Sequence, residues 1–292
     1  MKVGTLIHPS RLAAALASTA QGEILTPLVE QCVAGGATHI ELTGELFTLA
    51  PAPLLRRLTR EIRDSLAAYG RQAGLSFSVH LPSMGGLDIS SSVREIRGAA
   101  VKTFETIAAI TGPLDPENYI LHVAGMVHEV AGMDLLGKAG PGLLGLLQDN
   151  ARRCLERMAA FLDPERICIE NLPSFSMDWL ASFVEAGPES VCLDVGHLAL
   201  RGESLDAFLV RFAGRVREVH LHDVQRHRLG TNIHSLLDHA ALGEGFLDME
   251  GIVSTLKSHR FEGPMVLEVL RGDGLPSLGR LKRLLQASGE PP

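Results

Sequence analysis

Eight short runs of β-forming residues alternate along the chain with longer amphipathic stretches. The stretch PLLRRLTREIRDSLAAYGRQAG, residues 53–74, has apolar residues three and four positions apart, as a surface helix does. Eight strands with eight helical crossovers in 292 residues predict an α/β fold, a closed (β/α)8 or TIM barrel. The runs are residues 3–8, 39–45, 76–82, 119–125, 167–173, 191–197, 217–223 and 265–270.

A doubly wound open sheet is the alternative fold, but no G-x-G-x-x-G pattern follows the first run. No low-complexity tract or long polar linker divides the sequence, so we expect a single domain over residues 1–292. Three connections that follow strands are long enough to cover a bound substrate. They are residues 9–22, 126–142 and 224–245, and we interpret all three as loops.

The composition narrows the possible partners and the compartment. A net charge of −7 disfavours a general affinity for nucleic acid or for an anionic membrane, and no apolar run approaches the roughly 20 residues of a membrane span. Pro9 and Arg11 interrupt the N-terminal apolar run, so the sequence predicts no signal peptide. The four cysteines form no C-x-x-C pair and indicate buried thiols in a reducing compartment, so we expect a cytoplasmic protein. They are Cys32, Cys154, Cys168 and Cys192.

Six of the runs carry a carboxylate or an imidazole among apolar neighbours near the C-terminal end. They are His80, His122, Glu170, Asp194, His220 and Glu268. Barrel enzymes keep their chemistry at this end of the strands, and inward-facing positions share one parity, so we expect these side chains to converge. Cys168 and Cys192 share parity with Glu170 and Asp194, which predicts two unbonded thiols inside the barrel.

A buried carboxylate needs a partner, because leaving it unpaired costs several kcal/mol. Imidazoles and carboxylates together suit Zn²⁺, Mn²⁺ or Fe²⁺ better than Ca²⁺. We therefore expect a divalent cation beside Asp194, and a second cation within reach of His197.

Other polar residues have simpler explanations. We interpret five histidines as ordinary core or surface residues: His39, His128, His227, His234 and His259. Glu170, taken alone, could be a helix-capping or ion-paired carboxylate as readily as a metal ligand. His8 is either part of the wall of the site or a solvated loop residue, and Glu41 and Glu45 are weaker catalytic candidates.

The ordered set of candidate ligands resembles that of the xylose isomerase-like barrels over nearly the whole chain. This superfamily includes the AP endonuclease family 2 enzymes and many sugar isomerases and epimerases. The set comprises His80, His122, Glu170, Asp194-x-x-His197, His220, the segment DHAALGEG and Glu268. The segments GPLDPENYILHVAG, PERICIENLP, SVCLDVGHLALRG and HLHDV…HSLLDHAAL are most similar to the cobamide-remodelling phosphodiesterases of this superfamily.

The resemblance implies roles for particular positions. In the three-metal endonucleases, the first metal's ligands match His80, His122 and Glu170. The second metal's ligands match Glu170, Asp194, His220 and Glu268. The third metal's ligands match His197 and His239, with Asp238 as the remaining carboxylate, although the spacing there differs by about one residue. In the epimerases, the second set alone holds one metal, a pair of glutamates moves the proton, and His197 contacts the substrate. We expect Glu170, Glu268 and His197 to act in catalysis.

The resemblance implies a metal-dependent hydrolase with one to three Zn²⁺, Mn²⁺ or Fe²⁺ ions. Its reaction would be hydrolysis of the nucleotide-loop phosphodiester of a cobamide, giving cobinamide phosphate and an α-riboside. The alternative is a one-metal sugar or sugar-phosphate isomerase or epimerase, which does not need His80 and His122. A DNA-repair endonuclease is disfavoured because the loops lack a dense basic and aromatic set. The complete ligand set disfavours a non-catalytic barrel. The implied partner is a small molecule, and the oligomeric state is left open.

Overall fold

The computed structural model of the chain describes residues 1–7, 22–83, 86–123, 140–228, 234–270 and 274–287. Eight parallel strands close into a barrel in the order β1-β2-β3-β4-β5-β6-β7-β10, which confirms the predicted TIM barrel. The described strands are β1 Lys2–Ile7, β2 His39–Thr43, β3 Ser76–His80, β4 Asn118–Leu121, β5 Ile167–Glu170, β6 Ser190–Asp194, β7 Val216–Leu221, β8 Asp223–Arg228, β9 His234–Ala240 and β10 Pro264–Leu267.

Helices surround the barrel, except for two short ones that lie at its mouth. The described helices are α1 Leu25–Ala34, α2 Glu45–Thr48, α3 Ala52–Glu61, α4 Ala67–Ala73, α5 Arg94–Thr111, α6 Gly140–Met158, α7 Met177–Val184, α8 Val195–Leu200, α9 Leu205–Arg211, α10 Met249–Ser258 and α11 Leu275–Ala287. The two at the mouth are α2 and α8, which directly follow β2 and β6. A π-helical turn, Ile62–Leu66, joins α3 to α4. The main core includes helix residues such as Phe104 and Phe208 and strand residues such as Ile40, all fully buried. Among the described helices, none has both the length and the apolar character needed to cross a membrane.

The strand register brings the C-terminal ends of the strands together at one mouth of the barrel. Thr43 is the Cα partner of His80, and Asp194 is the Cα partner of His220. Inside the barrel, Ile120, Cys168 and Cys192 form a small apolar cluster separate from the main core. Both cysteines are fully buried thiols on the neighbouring strands β5 and β6, which confirms their predicted placement.

The strands are shorter at their C-terminal ends than the sequence predicted. Strand β6 ends at Asp194 and not at His197, because the Asp194 carboxylate accepts a 2.6 Å hydrogen bond from the main-chain N–H of His197 and caps helix α8. His197 therefore lies on a helix. Glu45 likewise begins helix α2 and is not part of strand β2.

The prediction of a loop over residues 224–245 is wrong for most of its length. Strands β8 and β9 pair there as an antiparallel two-stranded sheet, with Asp223 opposite Ala240. The His239 carbonyl accepts a hydrogen bond from the Leu270 N–H, which ties β9 to the segment after β10. His8, His128 and most of connections 9–22 and 126–142 lie outside the described residues, as do the side chains of His227 and His234.

Candidate metal centre

The structure brings every predicted site residue to the C-terminal mouth of the barrel. Three of them are the last residues of strands: His80, Glu170 and Asp194. His220 is the next-to-last residue of β7, and His122 and Glu268 directly follow β4 and β10. His197 lies on α8, and Asp238 and His239 lie on β9. Most of these side chains are buried, but 17% of the His122 side chain and 15% of the His239 side chain are exposed. These two imidazoles face the open side of the site.

Glu170 lies at the centre and directs its two oxygens to different groups of imidazoles. Its Oε2 is 2.9 Å from His122 Nε2 and 3.3 Å from His80 Nε2. Its Oε1 is 3.4 Å from His197 Nδ1 and 3.6 Å from His220 Nδ1. A carboxylate with this arrangement is suited to bridge two cations.

A second group of ligand-type atoms surrounds Glu170 Oε1. Glu170, Asp194, His220 and Glu268 each offer one ligand atom, and these atoms all lie within 4.8 Å of one another. His220 Nδ1 and Glu268 Oε2 are 3.0 Å apart, yet neither they nor Glu170 Oε1 has a hydrogen-bond partner, although all three are buried. Buried polar atoms normally have partners, so this arrangement fits a bound cation.

Three of the imidazoles have a hydrogen-bond acceptor at one ring nitrogen, which for His80 and His220 is the nitrogen that faces away from Glu170. His80 Nδ1 lies 2.9 Å from the Leu81 carbonyl oxygen, and His197 Nδ1 lies 3.0 Å from the Asn171 carbonyl oxygen. His220 Nε2 lies 3.2 Å from a carboxylate oxygen of Glu41. Metal-binding histidines usually donate their second N–H in this way, which leaves the other nitrogen free for the metal.

The carboxylates raise the pKa of several of the buried imidazoles in the metal-free centre. Burial alone lowers the pKa of His80, but the hydrogen bond and charge of Glu170 outweigh burial and raise that pKa to about 10. Burial opposes charge at His197 as well, and there Asp194 and Glu170 raise the pKa to about 9. For Glu170, burial favours the neutral acid, but the charges of His122 and His220 hold its pKa well below the usual range. The centre therefore contains ionised carboxylates that attract cations.

The predicted third set also comes together. His197 Nε2 lies 3.9 Å from Asp238 Oδ2, and His239 Nδ1 lies 3.0 Å from Asp238 Oδ1. Asp238 and His239 reach the centre from β9, so the hairpin supplies this part of the site. Their role as ligands remains a prediction.

The sequence interpretation missed two residues that hold the site. Asn171 accepts a 2.7 Å hydrogen bond from the Asp194 N–H and donates a 2.9 Å hydrogen bond to the Asp194 carbonyl. His222 Nε2 lies 3.1 Å from both carboxylate oxygens of Asp194. Asn171 directly follows Glu170, in IEN, and His222 lies two residues after His220, in HLH, and therefore shares its parity.

Beneath the centre, the barrel interior contains a buried set of polar side chains that we name the interior polar network. Its members are His39, Glu41, Ser78, Asn118, Glu218 and His220. Ser78 donates to Glu218 at 2.7 Å, and Asn118 donates to the other oxygen of Glu218, also at 2.7 Å. His39 Nε2 lies 2.9 Å from the Ser78 hydroxyl, so His39 is the satisfied core histidine that the sequence predicted.

Solved structures with the same fold cover nearly the whole chain. A D-tagatose 3-epimerase-like protein has 17% identity and a TM-score of 0.71, with 99% of this chain and 98% of that chain covered. The 3-keto-D-glucoside 4-epimerase from E. coli, in its apo form, has 17% identity and a TM-score of 0.66, with coverages of 97% and 99%. The D-psicose 3-epimerase from Clostridium cellulolyticum H10, solved with D-tagatose, has 16% identity and a TM-score of 0.62, with coverages of 99% and 96%.

These identities are low, so the likeness concerns the fold. No curated protein matches the chain significantly. The family model for the xylose isomerase-like TIM barrel matches residues 29–287, which include every residue of the centre described above. The chain therefore belongs to the xylose isomerase-like TIM barrel family.

Proposed function

We propose that the protein is a divalent-metal-dependent phosphodiesterase. The observation that carries this proposal is the position of Glu170 between two sets of imidazoles, with one oxygen directed to each. A single-metal site would use one of these oxygens and would leave His80 and His122 without a purpose. A pair of cations suits phosphodiester hydrolysis, in which both the attacking and the leaving oxygen need stabilisation.

The residues divide into three ligand groups. His80, His122 and Glu170 would hold a first cation; Glu170, Asp194, His220 and Glu268 a second; and His197, Asp238 and His239 a third. When bound, Zn²⁺, Mn²⁺ or Fe²⁺ would polarise the phosphoryl group and make a water more acidic. The protein's own part is to fix His80, His197 and His220, whose imidazoles donate hydrogen bonds to the Leu81 carbonyl, the Asn171 carbonyl and the Glu41 carboxylate, respectively.

The protein also supplies groups that contact the substrate. The phosphate would enter on the side where His122, Asp238 and His239 are partly exposed, since Glu170, Asp194 and His220 are buried. Glu170, Glu268 and His197 line the reacting region and would act as catalytic residues that orient the substrate.

We propose a cobamide as the substrate and its nucleotide-loop phosphodiester as the bond that is cleaved. The support is the similarity of four sequence segments to the cobamide-remodelling phosphodiesterases, among them PERICIENLP and SVCLDVGHLALRG. We also propose that the chain is a single domain that acts in the cytoplasm. The four buried thiols fit a reducing compartment.

A sugar epimerase is the second candidate, and the solved structures with this fold support it better than they support hydrolysis. In that case one cation would be held by Glu170, Asp194, His220 and Glu268. Glu170 and Glu268 would then move a proton beside a substrate carbonyl, and His197 would contact the sugar. Both candidates need Asp194, but only hydrolysis needs His122.

The two candidates are separated by His122→Ala and Asp194→Ala, with His259→Ala as the matched control. His259 is a surface histidine that pairs with Asp206, away from the barrel mouth. Each protein is incubated with a cobamide and Mn²⁺ or Zn²⁺, and the products are resolved by chromatography. For a phosphodiesterase, wild type and His259→Ala should release the α-riboside and leave phosphate on the cobinamide. The other two variants should lose about 100-fold or more in rate.

A different pattern would support the epimerase. In that case the wild type leaves cobamides intact but exchanges solvent deuterium into a ketose. His122→Ala retains this exchange, whereas Asp194→Ala abolishes it. This outcome would contradict the phosphodiesterase proposal.

A further inference from the structure

His222 lies directly after strand β7 and is fully buried within the metal centre. Its ring stacks on the ring of His239, with centroids 4.3 Å apart and an interplanar angle of 14°. It offers a ring nitrogen that lies within 4.8 Å of a carboxylate oxygen of Asp194 and of ring nitrogens of His197 and His239. By residue type and position alone, His222 would count as a metal ligand.

The main chain of His239 determines which nitrogen of His222 carries the proton. The His239 N–H donates a 2.9 Å hydrogen bond to His222 Nδ1, so Nδ1 acts as an acceptor and carries no proton. The Asp223 carbonyl oxygen also lies 3.2 Å from Nδ1, but a nitrogen that accepts from an N–H of fixed direction cannot donate to that oxygen. A neutral imidazole then has its one N–H on Nε2.

This places the proton of His222 on the nitrogen that faces Asp194. Nε2 is 3.1 Å from each carboxylate oxygen of Asp194, so the N–H donates to that carboxylate. A protonated nitrogen cannot coordinate a metal. His80, His197 and His220 show a different pattern, because a carbonyl or carboxylate oxygen faces one ring nitrogen of each and fixes an N–H there.

The surrounding backbone is shaped to hold the ring of His222. A Cβ at Gly196 would lie 1.9 Å from His222 Cε1, so no larger residue at position 196 fits beside the ring. His239 has a φ of 57°, a left-handed conformation that a non-glycine residue adopts at a cost and that the hydrogen bond to His222 supports. The ring is therefore confined between helix α8 and strand β9.

We infer that His222 is a positioning residue that connects Asp194 to the main chain of His239, and that it does not ligate a metal. The inference rests on the proposed metal site. It assigns His222 the function of orienting the Asp194 carboxylate while fixing the part of β9 that carries Asp238 and His239. Residues of this kind, which hydrogen-bond to a ligand, typically contribute 10- to 100-fold to metal affinity.

Two amide variants separate the two hydrogen bonds of His222. In His222→Gln, the amide nitrogen reaches the position of Nε2 and can still donate to Asp194. In His222→Asn, the amide oxygen reaches the position of Nδ1 and can still accept from the His239 N–H, but the donor to Asp194 is lost. Zn²⁺ is titrated calorimetrically into each metal-free protein without substrate. Circular dichroism and thermal denaturation verify that each variant folds.

We expect His222→Gln to bind Zn²⁺ with nearly wild-type affinity, and His222→Asn to bind the same number of ions with about 10- to 100-fold weaker affinity at one site. Loss of one whole equivalent of Zn²⁺ in both variants would show that His222 is a ligand. Wild-type affinity in both would show that it does not position Asp194. Either result overturns the inference.

A nitrogen-15 NMR measurement on the wild type keeps the inference testable if His222→Asn does not fold. The Nε2–H form of His222 should persist after Zn²⁺ is added, and loss of that proton on Zn²⁺ binding would identify a ligand. A wild type that binds no Zn²⁺ would overturn the metal site together with this inference. A wild type that binds Zn²⁺ but leaves cobamides intact would overturn the proposed reaction alone.

Discussion

Replacement of Gly196 by alanine should destabilise the protein, although alanine normally favours helices. The new Cβ would lie 1.9 Å from Cε1 of His222 and 2.5 and 2.6 Å from its two ring nitrogens. Carbon atoms pack at about 3.5 Å or more, so the ring or the start of helix α8 would have to move by about 1.5 Å. Asp194 and the His239 N–H hold the ring, so this movement would break hydrogen bonds as well as packing.

The expected cost can be estimated from these contacts. Overpacking of a buried site costs about 1–3 kcal/mol, and a hydrogen bond to a charged group contributes about 1.5–3 kcal/mol. The better helix propensity of alanine offsets at most about 1 kcal/mol. We therefore expect the free energy of unfolding to fall by about 1.5–5 kcal/mol in total. For a chain of 292 residues, the Tm should fall by roughly 2–8 °C.

Gly98→Ala is the matched control. Gly98 also lies in a helix, α5, but a Cβ there would meet no other atom within 4 Å. Its replacement should leave stability unchanged or raise it by up to about 1 kcal/mol. Both variants are compared with wild type by urea denaturation, followed by circular dichroism in the presence of a chelator. If Gly196→Ala is as stable as Gly98→Ala, the close packing of His222 against helix α8 is refuted.

Two further predictions concern protons and thiols. The pKa values of His80, His197 and His239 are raised from 6.5 to about 10, 9 and 11, respectively. The charged imidazoles therefore stabilise the metal-free protein fully below about pH 6.5, and this stabilisation is lost as the pH rises toward 9–11. In the presence of a chelator, the Tm should therefore fall between pH 7 and pH 10, and a constant Tm would contradict these raised pKa values. Zn²⁺ binding near pH 8 should release protons, which calorimetry in buffers of different ionisation enthalpy measures. All four cysteines are at most 2% exposed, so a thiol reagent should react with none of them in the native protein and with all four after denaturation. Rapid native reaction of Cys168 or Cys192 would show that the barrel interior is wrongly described.

The fold and most of the site could be predicted because both depend on patterns local to each strand. Alternation along a strand determines that Glu170 and Asp194 face inward with Cys168 and Cys192, and parallel strands bring such positions to one mouth. The position of Asp194 was predictable, but the end of its strand was not. The strand stops there because the carboxylate caps helix α8, which is a competition between two local structures.

The function of His222 could not be predicted from the sequence. It depends on the direction of one main-chain N–H, that of His239, seventeen positions further along the chain. The β8–β9 hairpin that delivers this N–H has a polar, histidine-rich sequence, and its pairing rests on main-chain hydrogen bonds that residue type does not reveal. Glu218 was missed for a related reason: its partners, Ser78 and Asn118, come from strands far away in the sequence.

The interior polar network limits how the lower half of the barrel can be redesigned. Replacing Glu218 by an apolar residue would leave the Asn118 amide buried without its acceptor, at a cost of about 1–3 kcal/mol. As a donor, Ser78 would lose its 2.7 Å hydrogen bond and keep only the 3.3 Å one to Glu41. Exchanging Glu218 together with Ser78, Asn118 and His39 for well-packed apolar residues avoids that cost, because the donors are removed together with their acceptor. The barrel interior packs closely around the interior polar network, since a Cβ at Gly4 would lie 3.1 Å from the His39 ring. A redesign that stiffens or widens this barrel must therefore replace the residues of this network together, because each single polar-to-apolar substitution would lower the stability of the protein.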